Sequence, residues 1–168
     1  MKESILERKR ILAVDDEPDV LEVLEDEVKM SCPTCTFDKA TTYEEAAGKL
    51  KPGAYDLVIL DIMGVRGFDL LALAVNHNLK VAMLTAHALS PETLKRAFEM
   101  RAMAYLPKEK LGEIVPFLED VLHYEYLPGW KRLYGKLKNF FDAKFETDWE
   151  KRTGLDWQEW GRTQKKGE

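Results

Sequence analysis

Cysteine and long apolar runs are both scarce in this chain. Its 168 residues include two cysteines, Cys32 and Cys35, too few for the disulfide framework of a small secreted scaffold. No stretch approaches the ~18 apolar residues of a membrane-spanning helix. The charged start, residues 1–9, lacks the apolar centre of a signal peptide. The sequence therefore predicts a globular protein of the cytoplasm.

Glycine and proline are also limited, at 10 and 7 residues, which excludes collagen-like and low-complexity chains. Basic residues number 25 against 30 acidic ones, a net charge of −5, so there is no excess of positive charge for nucleic-acid binding. Tryptophan is absent until residue 130, and all four tryptophans follow: Trp130, Trp149, Trp157 and Trp160. The chain thus has two parts of different composition.

Five short apolar segments recur at near-regular spacing. They are residues 11–14, 36–40, 57–60, 81–84 and 104–106. Three of them (ILAV, LVIL and VAML) are continuously apolar, which is typical of strands covered on both faces of a parallel sheet. Between them the spacing is helical: Thr42 with Glu45 forms a capping box, and Ser90 with Pro91 marks another helix start. This alternation predicts a doubly wound α/β sheet with right-handed crossovers.

Polar residues follow the predicted strands at the point where each strand ends. They are Asp15, Asp16 and Glu17 after the first strand, Asp61 after the third, Thr85 after the fourth and Lys108 after the fifth. Because parallel strands end at one edge of the sheet, we expect these side chains to converge. Clustered carboxylates repel one another, and a hard divalent cation relieves that repulsion. A hydroxyl and an ammonium group suit the oxygens of a transferred phosphoryl group. The edge therefore predicts Mg²⁺-assisted phosphoryl transfer to an aspartate.

These residues resemble the receiver domain of bacterial two-component response regulators. The resemblance covers roughly residues 10–122 and is carried by four motifs in the family's order. The motifs are VDDEP at 14–18, DLVILDIM at 56–63, LTAHA at 84–88 and AYLPK at 104–108. The resemblance implies a flavodoxin-like five-stranded parallel sheet with strand order 2-1-3-4-5.

The resemblance also implies a phosphorelay role. Asp61 would accept a phosphoryl group from the phosphohistidine of a histidine kinase or phosphotransfer protein. Asp16 and Asp61 would bind Mg²⁺ directly, Asp15 would bind it through water, and the main-chain carbonyl of Met63 would be a further ligand. The protein would be a signalling phosphoacceptor and not an enzyme, apart from its own Mg²⁺-assisted phosphorylation and dephosphorylation.

Three more positions receive roles from the same resemblance. Thr85 and Lys108 would hold the phosphoryl oxygens, and Tyr105 occupies the position of the family's switching aromatic residue. Phosphorylation would draw Thr85 and Lys108 toward the new group and turn Tyr105 inward, which changes a protein-interaction surface.

Two positions depart from the family. The turn after Asp61, IMGVRGFDLL, is shorter than usual, and Glu109 follows Lys108 where the family has a proline after a cis peptide bond. Two other hypotheses therefore stay open. One is a receiver-like scaffold that works without phosphorylation. The other is a Mg²⁺-dependent phosphohydrolase, which usually needs a second acid two positions after the nucleophile, where this chain has Met63.

We divide the chain into a charged lead (1–9), a receiver part (10–124) and a helical C-terminal extension (125–168). The sequence pattern changes after about residue 127, where Pro128 and Gly129 interrupt it, and a helix is predicted over residues 130–145. One face of this helix carries the apolar residues Trp130, Leu133, Tyr134, Leu137, Phe141 and Phe145. A second short segment, TGLDWQEWGR at 153–162, follows.

The apolar face of the extension predicts packing against the receiver part or against a second copy, so a homodimer through the extension is one expectation. Basic residues on its other faces leave a membrane-surface helix as an alternative, although membrane contact is not expected. The extension has no helix-turn-helix pattern, so no DNA-binding output is expected.

The pair Cys32 and Cys35 lies in the turn before the second strand, away from the acidic edge. A metal or redox site would need further ligands or an activated thiolate, so we expect a packing role. His87, two residues after Thr85, is expected to be a solvated loop residue.

Overall fold

The computed structural model describes residues 3–155, and its sheet has five parallel strands in the order β2-β1-β3-β4-β5. The strands are β1 (Arg10–Val14), β2 (Thr36–Ala40), β3 (Leu57–Asp61), β4 (Val81–Thr85) and β5 (Ala104–Pro107). Both the flavodoxin-like fold and the strand order agree with the prediction from the sequence. The third and fourth apolar runs are continuous because every residue of β3 and β4 is buried.

Seven α-helices and one 3₁₀ helix occur in the described residues. They are α1 (Pro18–Ser31), α2 (Tyr43–Lys49), α3 (Gly67–Asn76), α4 (Pro91–Glu99), the 3₁₀ helix Lys108–Glu113, α5 (Ile114–His123), α6 (Tyr126–Lys144) and α7 (Trp149–Thr153). The predicted helix starts are confirmed: Glu45 N donates to Thr42 Oγ1 at 3.1 Å, and Thr93 N donates to Ser90 Oγ at 3.1 Å.

The long helix of the extension begins earlier than predicted. It starts at Tyr126 and not near Trp130, so Pro128 and Gly129 lie within the helix and not before it. Pro128 is the third residue of α6, where a backbone N–H has no partner within the helix and a proline is tolerated. Gly129 N donates to Glu125 O at 2.8 Å, as a regular helical residue does.

The extension packs against the receiver part of the same chain. Helix α6 contacts α5 and β5, and α7 contacts α4. The indole of Trp130 is fully buried, donates from Nε1 to Ala102 O at 2.7 Å and meets the ring of Phe98 edge to face at 5.3 Å. The expected packing of the apolar face on the receiver is confirmed, whereas a homodimer through the extension stays a prediction.

The two ends of the chain differ in what the structure describes. In the lead, Leu6 is fully buried and Ser4 Oγ donates to Glu119 on α5 at 2.6 Å, so the lead is anchored to the domain. The predicted segment 153–162 lies outside the described residues beyond Leu155. Over residues 3–155, no helix has the length and apolar character needed to cross a membrane.

Both cysteines are buried and free. Cys35 N donates to Cys32 O at 3.2 Å, which closes the turn before β2. Burial raises the pKa of both thiols, which disfavours the reactive thiolate. A packing role agrees with these observations.

Candidate functional site

The predicted acidic residues meet at the carboxyl edge of the sheet. Asp15 directly follows β1, and its backbone N–H donates to Ala40 O at 3.1 Å, which extends the pairing with β2 by one step. Asp61 is the last residue of β3, and both carboxylates are buried. Asp16 is exposed beside them. One carboxylate oxygen from each of the three residues lies within 4.8 Å of the others.

Lys108 supplies the opposing charge. It is the first residue of the 3₁₀ helix after β5, and its side chain is only 9% exposed. Its Nζ lies 2.8 Å from Asp15 Oδ2 and 3.3 Å from Asp61 Oδ1. A third carboxylate, Glu17 Oε1, lies 3.0 Å from the same ammonium group. The ammonium therefore has three carboxylates around it.

Glu17 was expected at this edge of the sheet, but its ion pair with Lys108 was not predicted. It is the residue before the first turn of α1, so it looked like one more polar residue at a strand end. Its side chain is half exposed and reaches across the edge to Lys108, which lowers the pKa of the Glu17 carboxyl. Only the three-dimensional pairing of residues 91 positions apart reveals this contact.

The titration of the site follows from burial and crowding. Desolvation, followed by repulsion from Asp15, raises the pKa of Asp61 to about 6, although Lys108 acts in the opposite direction. Burial alone would lower the pKa of Lys108, but its hydrogen bonds to Asp15 and Glu17 and the charge of Asp61 raise it above the usual value. Ionisation of Asp61 is thus less favourable in the folded protein than in water, whereas the neighbouring Lys108 stays protonated.

The short turn after Asp61 is closed by two glycines. Gly67 N donates to Ile62 O at 3.0 Å, and a Cβ at Gly67 would lie 2.1 Å from the carbonyl oxygen of Asp61. Gly64 has a φ of +87°, and a Cβ there would lie 2.4 Å from the carboxyl carbon of Asp16. Both glycines let the shortened turn fold tightly against the acidic residues.

Replacing Gly64 with alanine is expected to displace the Asp16 carboxylate, because the new methyl group would occupy its position. The expected result is Mg²⁺ affinity reduced by about tenfold, with the positive φ adding strain of roughly 1 kcal/mol. Isothermal titration with Mg²⁺ measures this. Gly48→Ala is the matched control, because no atom lies within 4 Å of a Cβ built there. Equal Mg²⁺ affinity in both variants would contradict the prediction.

Thr85 and Tyr105 are joined by a chain of hydrogen bonds through the loop between β4 and α4. Ala88 N donates to Thr85 Oγ1 at 3.1 Å, and Thr93 Oγ1 donates to Ala88 O at 2.5 Å. The Tyr105 hydroxyl lies 2.7 Å from Thr93 Oγ1, and Ser90 N donates to it at 3.1 Å. Tyr105 is fully buried, so the aromatic residue predicted to switch points inward.

A cavity of about 290 Å³ opens above the carboxylates. Its lining residues are Asp16, Glu17, Asp61, Met63, Gly64 and His87. Met63 and His87 are exposed at this opening, and both follow strand-end residues by two positions. No cis peptide bond occurs within residues 3–155, and Lys108 runs in trans into its 3₁₀ helix. The cavity therefore adjoins the carboxylates of Asp16 and Asp61.

Comparisons with a family model and with solved structures agree on one protein family. The family model described as the response regulator receiver domain matches residues 11–118. A search of curated proteins finds no significant match.

Solved structures of similar fold include the non-phosphorylated HemR receiver domain from Leptospira biflexa, at 34% identity and a TM-score of 0.61, covering 70% of this chain and 96% of that one. A response regulator from Chloroflexus aurantiacus is 26% identical, with a TM-score of 0.60, covering 70% and 100% of the two chains. A BeF3-activated DrrB receiver domain, 19% identical with a TM-score of 0.58 over 69% and 98%, shares the fold.

Proposed function

Since the chain belongs to the response regulator receiver domain family, we propose that it accepts a phosphoryl group on Asp61 in two-component signalling. The observation that carries this proposal is the contact of one buried ammonium group, Lys108 Nζ, with both Asp61 and Asp15 at the carboxyl edge of the sheet. The donor is a histidine kinase or a phosphotransfer protein. The signalling domain has no further enzymatic activity of its own.

The transfer is a displacement at phosphorus. An oxygen of the Asp61 carboxylate attacks the phosphorus of a phosphohistidine, a new O–P bond forms, and the N–P bond breaks with its electron pair returning to the imidazole. At about pH 7 the Asp61 carboxylate is mostly ionised even with its pKa raised to about 6. The product is an acyl phosphate, a mixed anhydride that adds negative charge at the site, so the reaction depends on the cationic and hydrogen-bonding groups around Asp61.

Lys108 and Thr85 receive the transferred group. The Lys108 ammonium, already 3.3 Å from Asp61 Oδ1, donates to a phosphoryl oxygen once it releases one of its carboxylates. Thr85 ends β4, next to β3, and its hydroxyl oxygen accepts from Ala88 N, so the hydroxyl proton is free to donate to a second phosphoryl oxygen. These two donors balance the added negative charge.

The carboxylates fit a magnesium ion. Mg²⁺ takes oxygen ligands at about 2.0–2.1 Å and retains several waters, and one oxygen from each of Asp15, Asp16 and Asp61 lies within 4.8 Å of the others. We assign Asp16, Asp61 and the Met63 carbonyl as direct ligands and Asp15 as a ligand through water. Bound Mg²⁺ supplies positive charge that offsets the repulsion between the carboxylates and the phosphoryl oxygens.

Intact mass measured after incubation with Mg²⁺ and acetyl phosphate tests the proposal. The wild type is expected to gain the mass of one phosphoryl group, and Asp61→Asn is expected to gain none. Asp69→Asn, which changes an exposed aspartate on α3, is the matched control and should gain the group as the wild type does.

Two outcomes would overturn the proposal. No mass gain in the wild type, with Mg²⁺ bound, would favour a scaffold that works without phosphorylation. Rapid turnover of phosphate monoesters without a stable mass gain would favour a phosphohydrolase. Chelation of Mg²⁺ is expected to abolish the gain in the wild type.

Glu17→Gln is expected to accelerate phosphorylation by acetyl phosphate about twofold to fivefold, the scale of an exposed ion pair. The reason is that Lys108 would then divide its donors between two carboxylates instead of three. Asp19→Asn removes the same charge from an exposed position two residues away and controls for general repulsion of the anionic donor. Equal rates in the two variants would show that Glu17 acts only through its charge.

A further inference from the structure

We propose that the C-terminal extension and a phosphoryl group on Asp61 strengthen each other's binding to the receiver part, with Tyr105 as the link between them. This inference rests on the phosphoacceptor function proposed above and adds a regulatory element that belongs to this chain. The family model ends at residue 118, whereas the described part of the extension covers residues 125–155.

The first half of the link runs from the site to Tyr105. Thr85 Oγ1 accepts from Ala88 N, and the carbonyl of the same Ala88 accepts from Thr93 Oγ1. The Tyr105 hydroxyl lies 2.7 Å from Thr93 Oγ1, and it also lies 3.4 Å from the carbonyl oxygen of the same Ala88. These hydrogen bonds connect Thr85 to Tyr105 through Ala88 and Thr93, so the positions of both side chains depend on one conformation of the loop.

The second half runs from Tyr105 to the extension. The ring of Phe141 on α6 lies 6.1 Å from the ring of Tyr105 at 54°. Phe141 is itself buried, stacks on Phe145 at 5.2 Å and meets Trp149 at 5.8 Å. Tyr105 therefore has the loop on one side and an aromatic cluster on the other. The cluster therefore packs against the inward orientation of Tyr105.

Ion pairs tie the extension to the elements on both sides of Tyr105. Arg152 Nη2 lies 2.7 Å from Glu92 Oε2 on α4, and Lys144 Nζ lies 2.9 Å from Glu109 Oε1, the residue after Lys108. Helix α4 begins directly after the loop that holds Thr85 and Tyr105 together. The extension thus contacts the segments that follow Thr85 and Lys108, the two residues assigned to the phosphoryl oxygens.

The sign of the coupling follows from the cost of ordering. A phosphoryl group needs the Thr85 hydroxyl and its loop in one position, and fixing a loop costs conformational entropy. A docked extension fixes that loop beforehand through Tyr105, so phosphoryl binding costs less. Linkage requires the reverse effect of equal size, namely that a phosphoryl group stabilises the docked extension.

The test uses the full chain with beryllium fluoride as the phosphoryl analogue at saturating Mg²⁺. Phe141→Ala is expected to bind beryllium fluoride at least about fivefold more weakly than the wild type does, measured by calorimetric titration. Asn139→Ala is the matched control, since Asn139 is exposed on the same helix. It should bind within about twofold of the wild type.

Two further measurements separate the link from simple packing. Tyr105→Phe keeps the ring against Phe141 but removes the hydroxyl, so the extension stays docked while beryllium fluoride affinity falls. Amide exchange within α6 of the wild type is expected to slow when beryllium fluoride binds, and this slowing should be absent in Tyr105→Phe. If Phe141→Ala fails to fold, Arg152→Ala weakens docking from the exposed side and should lower the affinity in the same direction.

The outcomes distinguish this inference from the proposed function. Wild type that does not bind beryllium fluoride overturns the phosphoacceptor function and the coupling with it. Binding of equal strength in wild type and Phe141→Ala overturns the coupling alone. Tighter binding in Phe141→Ala also overturns it, because the extension would then inhibit the site.

Discussion

Trp130→Ala is expected to destabilise the docked extension by about 3–5 kcal/mol, the cost of removing a fully buried aromatic side chain. The indole is 0% exposed, its N–H donates to Ala102 O at 2.7 Å, and its ring packs on Phe98. The loss includes an unsatisfied carbonyl as well as a cavity. Because this loss falls on one element, the extension should detach before the sheet unfolds.

Thermal unfolding followed by two probes measures the effect of Trp130→Ala. Tryptophan fluorescence reports the extension, where all four tryptophans lie, and far-ultraviolet circular dichroism reports all helices and the sheet. The two transitions should coincide in the wild type and separate in the variant, with the fluorescence midpoint about 10 °C lower. Trp130→Phe, which keeps a ring, should lie between them. Coincident transitions at the wild-type temperature would contradict the prediction.

Asp61→Asn is expected to stabilise the folded protein at pH 7.5 without divalent ions by about 2–3 kcal/mol, the equivalent of the pKa shift. The pKa of Asp61 is about 6 in the folded chain and near the ordinary aspartate value of 3.8 in the unfolded chain. The folded state therefore binds more protons between these values. The loss of folding stability caused by ionisation of Asp61 is therefore absent below about pH 4. It grows between about pH 4 and pH 6 and is complete above that range. Asparagine cannot ionise.

Urea unfolding at pH 4 and pH 7.5 checks both the size and the sign of this effect. The stability difference between Asp61→Asn and the wild type should vanish at pH 4, where Asp61 is protonated. At pH 7.5, Mg²⁺ should stabilise the wild type more than the variant, because the cation offsets the buried charge. Asp69→Asn, at an exposed position, should show neither effect. A variant no more stable than the wild type at pH 7.5 without Mg²⁺ would overturn this explanation.

Much of the fold was predictable because its signals are local. A continuously apolar run such as VAML must be covered on both faces, and Ser90 with Pro91 specifies a helix start within four residues. The start of α6 was not predictable, because a proline such as Pro128 is found both in the first turn of a helix and at positions that interrupt one. Its place in the helix depends on the hydrogen bonds of Tyr126 and Trp130 to carbonyl groups of the receiver part.

The site divides in a similar way. Topology alone predicts that residues ending parallel strands meet, and the structure brings Asp15, Asp61 and Lys108 together. The contact of Glu17 with Lys108 depends on side-chain reach, which the sequence does not encode at short range. The roles of Gly64 and Gly67 were missed for another reason. They leave room for atoms of Asp16 and Asp61, and this need for space depends on the folded structure and leaves no pattern in the sequence.

The position of the extension also changes what a shortened chain would be. Residues 11–118, the part that matches the family, end inside α5 and lack α6. In such a fragment, Phe98 on α4 would lose its contact with Trp130, and Tyr105 on β5 would lose its contact with Phe141. The uncovered faces of α4 and β5 would form an apolar patch of the kind that drives aggregation. Self-association of that fragment would report this uncovered patch and not the oligomeric state of the intact protein.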